Sequence, residues 1–169
     1  MNTITIEVRT WYEECALNRR DDVVRRGGMF EQALRNMGFL VTSRSLSTSY
    51  IWKDGVPHFF ATHYFSCEYD NSNKYYDCVS YEFLNNWVKV NDRDSIRVVH
   101  QDIVTSVDDA SSCLEWDTIY DCYTACTAAG VLFFIVSFAY EVNECINQDL
   151  REAIATLNKI RKDDKEEES

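Results

Sequence analysis

The chain has 169 residues, a net charge of −11, 46% hydrophobic and 14% aromatic content. That length is one domain by the usual prior, and the apolar content excludes a disordered chain. One proline and five glycines leave no room for a flexible linker.

Residues 3–9, TITIEVR, alternate, with Ile4, Ile6 and Val8 on one face. That spacing predicts a half-buried strand. From Trp11 the pattern turns helical. Gly27-Gly28 is expected to interrupt it. Phe30, Ala33, Leu34 and Met37 then share one helical face, and Gly38 is placed to end that helix. Ser47–Lys53 and His58–Tyr69 are rich in aromatic and β-branched residues, and Asp54-Gly55 between them is a hairpin signal. Pro57 fits a strand start. Asp70-Asn71-Ser72-Asn73 makes a second turn. Tyr75–Phe83, with Val79, Tyr81 and Phe83 on one face, completes a three-stranded antiparallel, aromatic-rich meander. Residues 84–104 fit a strand through Ile96 and Val98 or a helix through Ile96, Val99 and Ile103.

Ser112-Cys113-Leu114-Glu115 matches the capping box and predicts a helix from Cys113. Gly130 is the expected stop. Val131–Phe138, VLFFIVSF, then reads as a strand covered on both faces. One long buried helix from Cys113 to Tyr140 is the rival parse. Tyr123–Tyr140 carries no charge, yet it is at the short limit for a membrane span and is flanked by Asp121 and Glu141. A soluble parse is therefore preferred. Val142, Ile146, Leu150, Ala153, Leu157 and Ile160 recur at steps of three and four, an amphipathic helix. The expected class is α+β, one globular domain over 1–162 with a solvated charged tail over 163–169.

The charge is uneven. Residues 101–150 hold nine acids and no Lys or Arg, net −9, while 1–100 and 151–169 are each net −1. Such a field repels nucleic acid and attracts basic proteins or cations. Asp117 and Asp121 lie i, i+4 on the helix predicted from Cys113, with Asp108, Asp109 and Glu115 upstream. Like charges at that spacing repel mildly. They form a solvated acidic face, a docking face, or oxygen ligands for Mg²⁺ or Ca²⁺. Tyr64 and Tyr76 belong to the aromatic sheet, and tyrosine-rich faces are typical of binding surfaces. Base stacking on that sheet would need nearby cations, and only Lys53 and Lys74 qualify within the meander.

Other constellations are weaker. His63 and Cys67 share a strand face, with Cys78 nearby, but match no standard zinc spacing. Arg19 to Gly28 mixes arginines with Asp21 and Asp22, which predicts local pairs of Asp21 with Arg25 and Asp22 with Arg26 rather than a phosphate cradle. The seven cysteines are odd in number with no CxxC, and MNTITIEVRT lacks a signal-peptide pattern. Reduced thiols in a cytoplasm are expected. No motif ties the chain to a known family or to a hydrolase triad.

The reading is a small acidic protein-binding module that occludes a basic protein partner. In general character it is like immunity proteins or phage and viral host-factor antagonists. No cofactor, metal, nucleic acid or membrane is expected. The alternatives are a divalent-metal enzyme acting on a phosphate ester, and a self-associating structural subunit or homodimer.

Overall fold

The computed structural model describes residues 1–12, 19–80, 85–99 and 116–168, with the side chains of these apart from 19, 51, 53, 56, 57, 116–129, 167 and 168. The elements are β1 (Asn2–Tyr12), α1 (Arg19–Asn36), β2 (Leu40–Lys53), β3 (Val56–Tyr69), α2 (Tyr76–Ser80), β4 (Val88–Lys89), β5 (Asp94–Val99) and α3 (Trp116–Glu168). The class is α+β. The sheet order is β2-β3-β1-β5-β4, with every neighbouring pair antiparallel. With β1 central and α1 crossing to β2, this is the connectivity of a split β-α-β unit.

The period-2 pattern of β1 does what the sequence predicts. Ile4, Ile6 and Val8 are buried on the inner face. Asp54 and Gly55 both take positive φ, 54° and 77°, which is the backbone a two-residue hairpin loop needs. In β5 burial alternates, with Ile96 and Val98 inside, so 94–99 is a strand and not a helix. Gly38 (φ 89°) ends α1 as expected. The Phe39 N–H bonds the Leu34 carbonyl and the Gly38 N–H bonds the Arg35 carbonyl, the Schellman pattern.

Three expectations are corrected. Trp11 and Tyr12 stay in β1, and α1 runs unbroken through Gly27-Gly28. Gly27 is there for space: a Cβ would come within 2.9 Å of His63 Nδ1. Residues 76–80 form the short helix α2, not a third meander strand, and β1 takes the place beside β3. The Asn73 side chain accepts the Tyr75 N–H at 2.8 Å and donates to the Met37 carbonyl at 3.1 Å. It thereby starts α2 while tying it to the end of α1. Finally, Gly130 stops nothing, and 131–138 is helical. A Cβ at Gly130 would meet Cys78 Cβ at 3.3 Å, so this glycine lets α3 approach α2. The capping box and Cys113 lie outside the described residues.

The core lies between the inner sheet face and the helices. Ile6, Val8, Phe65, Ile96 and Val98 of the sheet meet Phe30 and Leu34 of α1 and Phe134, Phe138 and Val142 of α3. Among the described side chains of α3, only this stretch is buried. Leu132, Phe133 and Val136 are exposed, so 131–138 is covered on one face alone. Every residue from Ile146 to Glu166 is exposed, including the apolar positions expected to pack.

One buried ion pair clamps α1 to the sheet. Asp94, 1% exposed, accepts from Arg26 at 2.7 Å, from Asn91 at 2.9 Å and from Thr10 at 2.9 Å. Arg26 therefore bonds across 68 positions, not to Asp22 as local spacing suggested. Asp22 instead pairs with Arg25 at 3.2 Å and Arg93 at 3.3 Å.

The two adjacent glycines of α1 should respond oppositely. Gly27→Ala forces a shift at His63 and should destabilise by about 1–3 kcal/mol. Gly28→Ala meets nothing within 4 Å and should stabilise by about 0.5–1 kcal/mol through helix propensity. Urea unfolding of both variants measures the difference.

Candidate functional site

The predicted acids divide. Asp108, Asp109 and Glu115 lie outside the described residues. Asp117 and Asp121 fall in the first turns of α3, with side chains outside the description. Tyr64 and Tyr76 are placed on different sides of the sheet. Tyr64 stands on the outer face of β3, opposite Glu7 of β1, with its hydroxyl 3.0 Å from Ser47 Oγ. Tyr76 opens α2 and packs its ring 6.1 Å from Tyr69 on the core side. They do not form one docking surface.

The acidic block continues where the sequence reading did not place its site. Glu144 and Asp149 of α3 line a groove of about 600 Å³ between α1 and α3. Arg25, Gln32 and Asn36 form the α1 wall, and Cys145, Gln148 and Arg151 share the α3 wall. Glu141 closes one end, accepting from Asn36 Nδ2 at 3.1 Å. Among the described residues neither Glu144 nor Asp149 has a cation within ion-pair distance. Their field is felt locally. Burial raises the Cys145 thiol pKa, and Glu141, Asp149 and Glu144 raise it further. Asp121 lies 23 residues before Glu144, about 35 Å along the helix axis. The groove is thus a separate part of the same acidic stretch.

The outer sheet face holds a cluster that sequence reasoning missed. Arg9 of β1 lies between two rings, 4.5 Å from the Phe60 centroid and 4.2 Å from Trp87. Arg97 of β5 lies over the same Trp87 ring, 4.7 Å from its centroid, and pairs with the buried Glu7 carboxylate. Burial, then the Arg97 charge, lowers the Arg9 pKa. Arg9 and Arg97 come from β1 and β5, which reach the predicted meander only through the sheet order. Two rings lie within 4.5 Å of the Arg9 guanidinium, and Glu7 neutralises Arg97, so the cluster reads as a cover for the sheet.

His63, Cys67 and Cys78 are locked in the core. His63 is buried, edge-on to Phe30 at 5.4 Å, and its Nε2 has no partner. Burial, with the Arg44 and Arg26 charges adding, holds its pKa down at about 4. Burial pushes the Cys67 thiol up to about 12 and the Cys78 thiol up to about 11. Cys78 Sγ donates to the Tyr75 carbonyl at 3.0 Å. Among the described residues no three His, Cys, Asp or Glu side chains converge on a metal-sized site, so the His63, Cys67, Cys78 grouping is not brought together.

No family model, curated protein or solved structure matches this chain.

His63 makes stability fall in acid. Above pH 6.5 it is neutral folded and unfolded, and contributes no slope. Below that, the unfolded chain takes up a proton that the native site refuses until about pH 4. His63→Leu should therefore remove about 2–3 kcal/mol of the stability loss between pH 7 and 4.5. Urea midpoints of parent and variant at both pH values check this, and equal losses would contradict it.

Proposed function

We propose that this chain is a non-catalytic protein-binding module that docks a basic segment of a partner protein in the groove between α1 and α3. One observation carries the reading. Glu144 and Asp149 face that groove without a cation in ion-pair distance among the described residues, although Arg25 and Arg151 line the same walls. A lysine or arginine entering between them gains charge-assisted hydrogen bonds at little structural cost. The groove's amides, Gln32, Asn36 and Gln148, add donors and acceptors for a peptide backbone.

The mechanism is occlusion. The nine uncompensated acids of residues 101–150 steer a basic surface toward α3, and the groove fixes its register. The buried, protonated Cys67 and Cys78 and the neutral His63 support a role without nucleophilic or acid–base chemistry. The unbridged Cys67, Cys78 and Cys145 also fit a cytoplasmic setting.

The test pairs capture with kinetics. A pull-down at low and high salt should recover a basic protein that leaves as salt rises. Glu144→Lys with Asp149→Lys should then slow its association roughly tenfold at low salt and flatten the salt dependence. Association rates equal to the parent's would refute the groove as the docking site.

A further inference from the structure

The structure leaves a second face of α3 without a use. Leu132, Val136, Ala139, Asn143, Ile146, Leu150, Ala153, Leu157 and Ile160 follow one another at alternating steps of four and three. These are nine consecutive a and d positions over four heptads, with Val136, Asn143, Leu150 and Leu157 at a. A period of 3.5 sustained over that length is the signature of a coiled-coil seam. The seam points away from the core: Phe134 and Phe138, which close the sheet at f and c positions, lie on the opposite side, while Val142 at g marks the margin between core and seam.

The exposed area is too large for a lone helix. Leu132, Val136, Ile146, Leu150, Leu157 and Ile160, with Phe133, Tyr140 and Ile154 beside them, are each 37–62% exposed. A half-exposed side chain of this size leaves roughly 100 Å² in water, so the face exposes roughly 900 Å² per chain. The largest apolar patch on an ordinary monomer is about 300–600 Å². Two copies of this face would cover roughly 1,800 Å², inside the range of about 1,200–2,000 Å² for a stable interface.

Charge is kept off the seam. Between Gly130 and Ile160 the charged residues are Glu141, Glu144, Asp149, Arg151, Glu152 and Lys159. All except Asp149, at a g position, fall at b, c or f, away from a partner helix. Asn143 then chooses the partner. It is the one polar residue among the nine, and its amide can be satisfied inside a seam by the same amide of an identical helix. Antiparallel pairing or a one-heptad slip would set it against an apolar side chain and leave it unpaired.

We infer that this outward stripe of α3 is the seam of a parallel, in-register coiled coil with a second copy of this chain. Leu at a with Ile at d, and Ile154 alongside at e, also admit further copies around the same seam. The acidic groove lies on another face of α3 and stays open in the assembly. The rival occupant is a membrane. A window within Gly130–Glu166 has mean hydropathy 1.2, long and apolar enough to cross one by length and composition. Glu141 and Glu144 within that stretch, and the packing of Phe134 and Phe138 on the sheet, favour a protein partner.

The experiment is mass in solution by sedimentation at 1–100 µM, for the parent and for Leu150→Glu with Leu157→Glu. Both positions are exposed and lie beyond the last core contact at Val142, so the variant keeps its fold, as circular dichroism near aromatic bands would register. The parent should have a whole multiple of 19.8 kDa and the variant 19.8 kDa. Ile160→Cys, oxidised with glutathione, should join parent chains in register. A monomeric parent at every concentration overturns the inference, whether or not it binds phosphatidylcholine vesicles. So does an oligomer that survives the double substitution, or one in which Ile160→Cys does not crosslink.

Discussion

The inner face of the sheet needs a cover, and α3 supplies it with about three turns, residues 131–142. Phe134, Phe138 and Val142 lie over the core that Ile6, Phe65, Ile96 and Phe30 build from the other side. Phe138 meets Phe30 at 5.9 Å, and Phe134 meets Phe39 edge-on at 6.0 Å. Gly130 makes the contact feasible by letting α3 approach Cys78. Yet α3 has 53 residues and extends about 80 Å, far beyond the sheet it covers. The rest of the molecule's character follows from that excess length.

Three faces of one helix then do different work. The face with Phe138 belongs to the core. The face with Glu144 and Asp149 lines the groove against α1. The face with Leu150 and Leu157 carries neither core contacts nor charge. The division is visible in composition, since charge is excluded from the first and third faces over Gly130–Ile160 apart from Asp149 and Glu141 at their margins. A helix that only closed a core would need no such third face. Propensity alone also sustains exposed helices weakly, so a long solvated helix gains its stability from packing.

Much of the fold was legible because local chemistry and tertiary environment agree. The alternation in β1, the Asp54-Gly55 loop, the Phe30–Met37 face and the Gly38 cap are each determined within a few residues. The misreadings occur where a distant neighbour decides. Gly27 and Gly130 look like breaks, but His63 leaves no room for a Cβ at Gly27 and Cys78 leaves little at Gly130. Residues 131–138 are apolar on every side, and periodicity cannot separate a buried strand from a helix with two apolar faces. Residues 76–80 follow Asn73, whose double role depends on Met37 in another element. The groove was missed because its α1 and α3 walls are more than a hundred residues apart, and the Arg9–Trp87–Arg97 stack because it depends on sheet order.

The most direct test of this account is amide hydrogen exchange across 146–165 as protein concentration changes. A seam covered by a second copy predicts slow exchange at high concentration, with protection lost together along the segment on dilution. Amides of 131–142 should stay protected throughout, because their packing is within the chain. Fast exchange over 146–165 at every concentration would contradict the account. It would mean that α3 beyond Cys145 opens freely, with nothing lying against its apolar stripe.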